Sequence, residues 1–236
     1  MNAGSFREMI LSCLEAESFE TVMAQASHWP PRQAVSPLIA ALFREAPRVR
    51  WHAVSALGVV VAALAVTDRE AARVVVRRLM WSLNDESGSI GWGAPEALAE
   101  IIAADDGLAE EYGPLLVAYL RPGGSYLELP AIQRGLMWAM SRLAETRPGL
   151  LRGLNVPAQL IPYLDSKDPE IRGLAVRALG FLGDHGVAKR LSALKGDPAE
   201  FLFYDRGTLA NVTVGALAGV ALKHMADPGG CPDRRP

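Results

Sequence analysis

Residues 81–100, WSLNDESGSIGWGAPEALAE, gather the side chains of this chain best suited to chemistry. Asp85, Glu86 and Glu96 supply carboxylates, and Trp92 an aromatic face. Gly88, Gly91 and Gly93 lack a Cβ, so another group can approach the backbone between them. A helix starting near Ile90 would add unpaired N–H groups and a partial positive charge. Glu96 lies one helical turn past Trp92, which puts both on one face. Such a set can form a polar-aromatic pocket. The same residues also suit a tight turn with a capping acid and a packed tryptophan.

Other groups are more scattered. Trp51 and Trp92 hold equivalent positions in the repeat described below, and Trp138 is equivalent to Ser55 and Glu96. These rings could line up as an aromatic strip that anchors a partner, or fill gaps between helices. Arg50, Gln133, Arg134, Arg172 and Arg177 fall at similar helix starts. With Asp85, Glu86 and Glu96 they could line a groove for a peptide of both signs or for an anionic ligand held by Arg, or form a ladder of weak ion pairs between repeats. Tyr204-Asp205-Arg206-Gly207 is expected to open the last helix as a polar patch or a capping turn. His28, His52, His185 and His224 have no second ligand at metal spacing, so no metal is expected. Cys13 and Cys231 have no nearby histidine base for thiol chemistry. Gly88-Ser89-Ile90-Gly91 follows a helix, and no Lys-Ser/Thr follows it, so it is not a phosphate loop. No catalytic residue and no cofactor are expected.

The elements that must position these residues repeat along the chain. Residues 35–65, 72–103, 112–145, 156–184 and 187–223 each read as an apolar helix, a short polar or Gly/Pro break, and a second helix. The second helices align on Leu57, Leu98, Met140, Leu179 and Leu217, with steps of 41, 42, 39 and 38. A period near 40 is that of two-helix HEAT or armadillo repeats. One such pair cannot bury its apolar face alone, whereas stacked pairs can. The reading is an all-α solenoid of about five to six HEAT-like repeats, forming one repeat domain over residues 1–226. Within it, residues 1–33 form a divergent cap of two helices, about 5–16 and 19–29, and residues 35–223 form the five repeats. Asp168-Pro169-Glu170 marks a helix start, and Asp68 and Asp197-Pro198 look alike. Gly183 and Gly107 suit helix ends or turns. Residues 227–236 read as a disordered tail. No strand pattern is expected anywhere.

Composition narrows the function classes. Half of the residues are apolar, which is ample for a core, and the net charge is -2. A general nucleic-acid binder carries a basic excess, so nucleic acid is an unlikely partner. The N-terminus lacks the apolar core of a signal peptide. The longest apolar run, eleven residues from 56 to 66, falls short of the roughly 20 needed to span a bilayer. Two isolated cysteines fit a reducing cytoplasm.

DPEIRGLAVRALGFLGD, residues 168–184, resembles the repeat consensus of bacterial HEAT-like proteins of the phycobilisome-lyase type. LNDESGSIGWGAPEALAE and YLELPAIQRGLMWAMSRLAE resemble a subgroup of bacterial HEAT proteins without an assigned activity. The resemblance spans about residues 35–223 and implies a binding fold rather than lyase chemistry. The expected function is a non-catalytic scaffold that binds a protein or peptide on its concave face near repeats two and three. Asp85, Glu86, Trp92, Glu96, Trp51, Arg134 and Trp138 are the expected contact residues. The alternatives are a nucleic-acid enzyme resembling helical-repeat DNA glycosylases, a small-ligand binder, and a structural subunit joined through its edges.

Overall fold

Proline and aspartate set where the helices begin. The computed structural model describes residues 3–84, 91–121, 127–183 and 185–226. Five helices open on proline, whose fixed φ and missing N–H suit the first helical position. They are α3 (Pro31–Ala41), α4 (Pro47–Thr67), α8 (Pro130–Thr146), α9 (Pro148–Gly153) and α11 (Pro169–Leu182). Asp68 caps α5 (Arg69–Trp81) by accepting from the Ala71 N–H, and Asp105 caps α7 (Asp106–Ala118) through Leu108. Asp168 caps α11 through Glu170 and Ile171. The other helices are α1 (Ala3–Ala16), α2 (Phe19–Ala26), α6 (Ala94–Ala104), α10 (Val156–Leu160), α12 (Ala188–Ala193) and α13 (Val214–Ala226).

The helices stack as antiparallel pairs into a solenoid. The second helices α4, α6, α8, α11 and α13 pack directly on one another in a row, whereas successive first helices barely meet. A stack packed tightly on one side and loosely on the other curves toward the tight side, which makes this row the inner one. Leu57, Leu98, Met140, Leu179 and Leu217 are all buried along it, as their 38–42-residue spacing requires. α4 is 21 residues long and apolar enough by composition to cross a bilayer. Two-thirds of its apolar stretch is buried among the other helices, as in a core helix. Ion pairs tie neighbouring repeats at the helix starts. Arg32 reaches Asp68, Arg69 reaches Asp105, Arg134 reaches Asp168 and Arg172 reaches Asp197.

Four local expectations are corrected. Strands do occur: β1 (Glu200–Asp205) pairs antiparallel with β2 (Thr208–Thr213), from Glu200 opposite Thr213 to Asp205 opposite Thr208. Arg206 and Gly207, with φ of 39° and 85°, form its two-residue turn, the primed turn that matches strand twist. Tyr204–Gly207 therefore builds a hairpin tip and does not open the last helix, which begins at Val214. Asp197 leads into this hairpin instead of capping a helix; its carboxylate accepts from the Ala199 N–H. Finally, α6 starts late. α4 begins at Pro47, ten residues before Leu57, but α6 begins at Ala94, four before Leu98. Gly91–Gly93 is a turn there rather than a helical start. The expected tail, residues 227–236 with Cys231, lies outside the described residues.

Candidate functional site

Two clusters form on the inner row of helices. Trp51 on α4 and Trp138 on α8 meet with ring centroids 4.9 Å apart, across the intervening α6. Tyr204, at the end of β1, stacks on Trp51 at 4.4 Å with an interplanar angle of 8°. The Trp138 indole Nε1 donates to the Tyr204 carbonyl at 3.0 Å. Tyr204 Oη and Ser55 Oγ share a buried hydrogen bond of 3.3 Å. The two tryptophans thus do form an aromatic pair, but the hairpin covers it.

The second cluster lies nearer the helix starts. Glu96 is in the first turn of α6, and its Oε2 is buried without a hydrogen-bond partner. The oxygen is pressed against α8 at Gly135, where a Cβ would sit only 2.6 Å from it. Burial pushes the Glu96 carboxyl up to about 7, against its own backbone N–H and Arg50, while Glu170 adds to the rise. Arg134 on α8 pairs with Asp168 at 2.7 Å and lies 3.8 Å from Glu170. Burial also raises Glu170, opposed by Arg134 and Arg50. Glu96, Glu170, Arg50 and Arg134 therefore form one electrostatic group drawn from α4, α6, α8 and α11.

Trp92 precedes α6 in the Gly91–Gly93 turn and is 40% exposed. The turn itself uses both glycines. Gly93 has φ 72° at the start of α6, and a Cβ on Gly91 would come within 2.7 Å of the Ser82 carbonyl oxygen. Asp85 and Glu86 lie outside the described residues.

Some residues that shape this face were not singled out in the sequence. Glu100 on α6 accepts from Arg142 on α8 at 3.0 and 3.3 Å. Glu145 accepts from Arg177 on α11 at 2.9 Å and from Arg206 at the hairpin tip at 2.7 Å. Burial pushes Glu100 up. It also acts on Glu145, yet Arg177, Arg142 and Arg206 together hold that carboxyl down. A cleft of about 210 Å³ lies between this network and the tip, bordered by Phe19, Gly58, Glu100, Arg142 and Asp205. The repeat register could have found the network. Ser55, Glu96, Trp138 and Arg177 form one column at steps of 41, 42 and 39, and Val59, Glu100, Arg142 and Phe181 form the column one turn later. The hairpin also had a signal: aromatic and β-branched residues in EFLFYD and TLANVT flank Arg206-Gly207.

Stacked helix pairs with a shared inner row define a helical-repeat protein. No family model and no curated protein sequence matches the chain. Among solved structures it is similar to two engineered proteins of the Northeast Structural Genomics Consortium. One has 20% identity and a TM-score of 0.53, covering 97% of this chain and 98% of its own. The other has 17% identity and a TM-score of 0.51, covering 97% and 100%. A designed armadillo repeat protein aligns at 18% identity with a TM-score of 0.49, over 92% of this chain and 98% of its own. At such identities the likeness of the first two concerns the fold alone.

Proposed function

We propose that this chain is a non-catalytic scaffold that binds a protein or peptide on its concave face near the second and third repeats. The observation that supports this most is Trp92, 40% exposed in the turn that precedes α6, which offers an aromatic anchor. Glu96, in the first turn of that helix, is covered by α8 at Gly135, so it supports this turn from behind. Arg134, half exposed, extends the same face with positive charge. Asp85 and Glu86 would add acceptors from the adjoining segment.

The charge balance supports a protein partner over nucleic acid. Arg134, Arg142, Arg172, Arg177 and Arg206 are each engaged by carboxylates, so they do not form a free basic track. The glycosylase-like alternative needs open aromatic faces around a carboxylate, and the Trp51–Trp138 pair is capped by Tyr204. The repeats are of the phycobilisome-lyase HEAT type in this reading, acting as a scaffold in the cytoplasm.

Capture of binding partners from native lysate tests the site. Trp92→Ala should release the partner while helical content is unchanged, and Glu96→Lys should release it by opening the α6–α8 contact behind the turn. A partner retained equally by native protein and both variants would rule the site out.

A further inference from the structure

We propose that the β1–β2 hairpin is a displaceable strap. It occupies the concave face in cis, and a partner segment that is extended and presents an aromatic side chain replaces it on the Trp51–Trp138 pair. This rests on the reading of the concave face as a binding surface and names how access to it is controlled.

The hairpin crosses the whole inner row. It is rooted in the last repeat, between α12 and α13. Phe201 lies on α11 at Gly173, where a Cβ would come within 2.4 Å of its ring. Tyr204 then engages α8 and α4 through Trp138, Trp51 and Ser55. At the tip, a Cβ on Gly207 would sit 2.4 Å from Phe19 Cβ on α2. The chain thus fastens its last repeat to its N-terminal cap.

Three features make this contact separable from the fold. First, among the described residues the sheet has just these two strands, and an isolated hairpin is marginal in water. Its order therefore comes from the face beneath it. Second, the helices pack in a continuous row through α4, α6, α8, α11 and α13 without using the hairpin. Third, the tip is held by polar and electrostatic contacts as much as by packing. Arg206 reaches Glu145, Asp205 lies 3.9 Å from Arg177, and a cleft remains between tip and floor.

The recognition mode is also transferable. It consists of a ring on Trp51, a backbone carbonyl accepting from the Trp138 indole, and an acid one residue later near Arg177. Any extended segment with an aromatic residue followed by an acid can offer these groups. Occupation in cis lowers the apparent affinity for such a segment in proportion to the fraction of molecules with the strap released.

Hydrogen exchange on the native chain tests the strap directly. The β1 and β2 amides should exchange at least about 100-fold faster than the central amides of α8 and α11, by opening of the hairpin alone. Exchange of the hairpin in step with those helices would overturn the proposal, because the hairpin would then open only on global unfolding. A second arm uses a synthetic peptide of residues 200–213, followed by tryptophan fluorescence. Gly207→Val loosens the tip at Phe19 without altering the tryptophans, and should raise peptide affinity at least about tenfold over the native chain. Equal affinity, or no binding to either, would count against displacement. These readouts need no natural partner, so they stand or fall separately from the capture experiment on Trp92 and Glu96.

Discussion

Glu96 holds a carboxylate where solvent does not reach its Oε2 and no donor meets it. Its pKa of about 7 lies well above the ordinary 4.5, chiefly through burial. The folded chain thus binds this proton more tightly than the unfolded chain does. Stability should therefore fall as pH rises from about 4.5 to about 7, and then level off. The shift corresponds to at most about 3 kcal/mol. Glu96→Gln stays neutral, so it should be more stable than the native chain by up to that amount at pH 8, and much closer to it at pH 4. Urea denaturation at the two pH values decides; a pH-independent difference would mean Glu96 is not the group involved. The sequence singled out Glu96 by its place beside Trp92 and the glycines. It did not reveal the burial, because that comes from Gly135 on the next repeat letting α8 close over the acid.

At the scale of elements, starts and stops were the most readable features. Asp168-Pro169 marks α11, and the Asp168 carboxylate accepts from two backbone N–H groups while pairing with Arg134. Asp168→Ala should cost about 1–2 kcal/mol through the lost cap, with little added from the exposed ion pair. A lower thermal midpoint with unchanged helical content would fit this; no change would mean that Arg134 and the cap are dispensable. The hairpin was missed for a physical reason. Its strands are short, one face rests on helices, and the helical period continues on both sides, so the segment was absorbed into the fifth repeat. The late start of α6 was hidden likewise, because spacing aligns columns but does not say whether a column position is helical. Gly93 at φ 72° ends the alignment locally.

For the whole molecule, the repeat period made the stacking legible, since each apolar helix pair must find a neighbour to bury its face. What the period cannot express is contact between distant repeats. Repeats in a simple solenoid touch only their neighbours, but here Trp51 meets Trp138 two repeats away, and Gly207 meets Phe19 near the opposite end. The cap should therefore depend on the strap. Tyr204→Ala should speed amide exchange in α2 while α11 keeps its protection; unchanged exchange in α2 would show that the cap holds by itself. The length of the hairpin has a further consequence. Six residues per strand span roughly 20 Å at the usual rise, and that reach runs from the last repeat to Phe19. Solenoids ordinarily lengthen by duplicating a repeat. A duplication here would carry Phe19 out of reach unless the hairpin grew with it. The strap thus acts as a ruler that ties the number of repeats to the length of one loop, and it narrows the evolutionary routes by which this fold can gain or lose a unit.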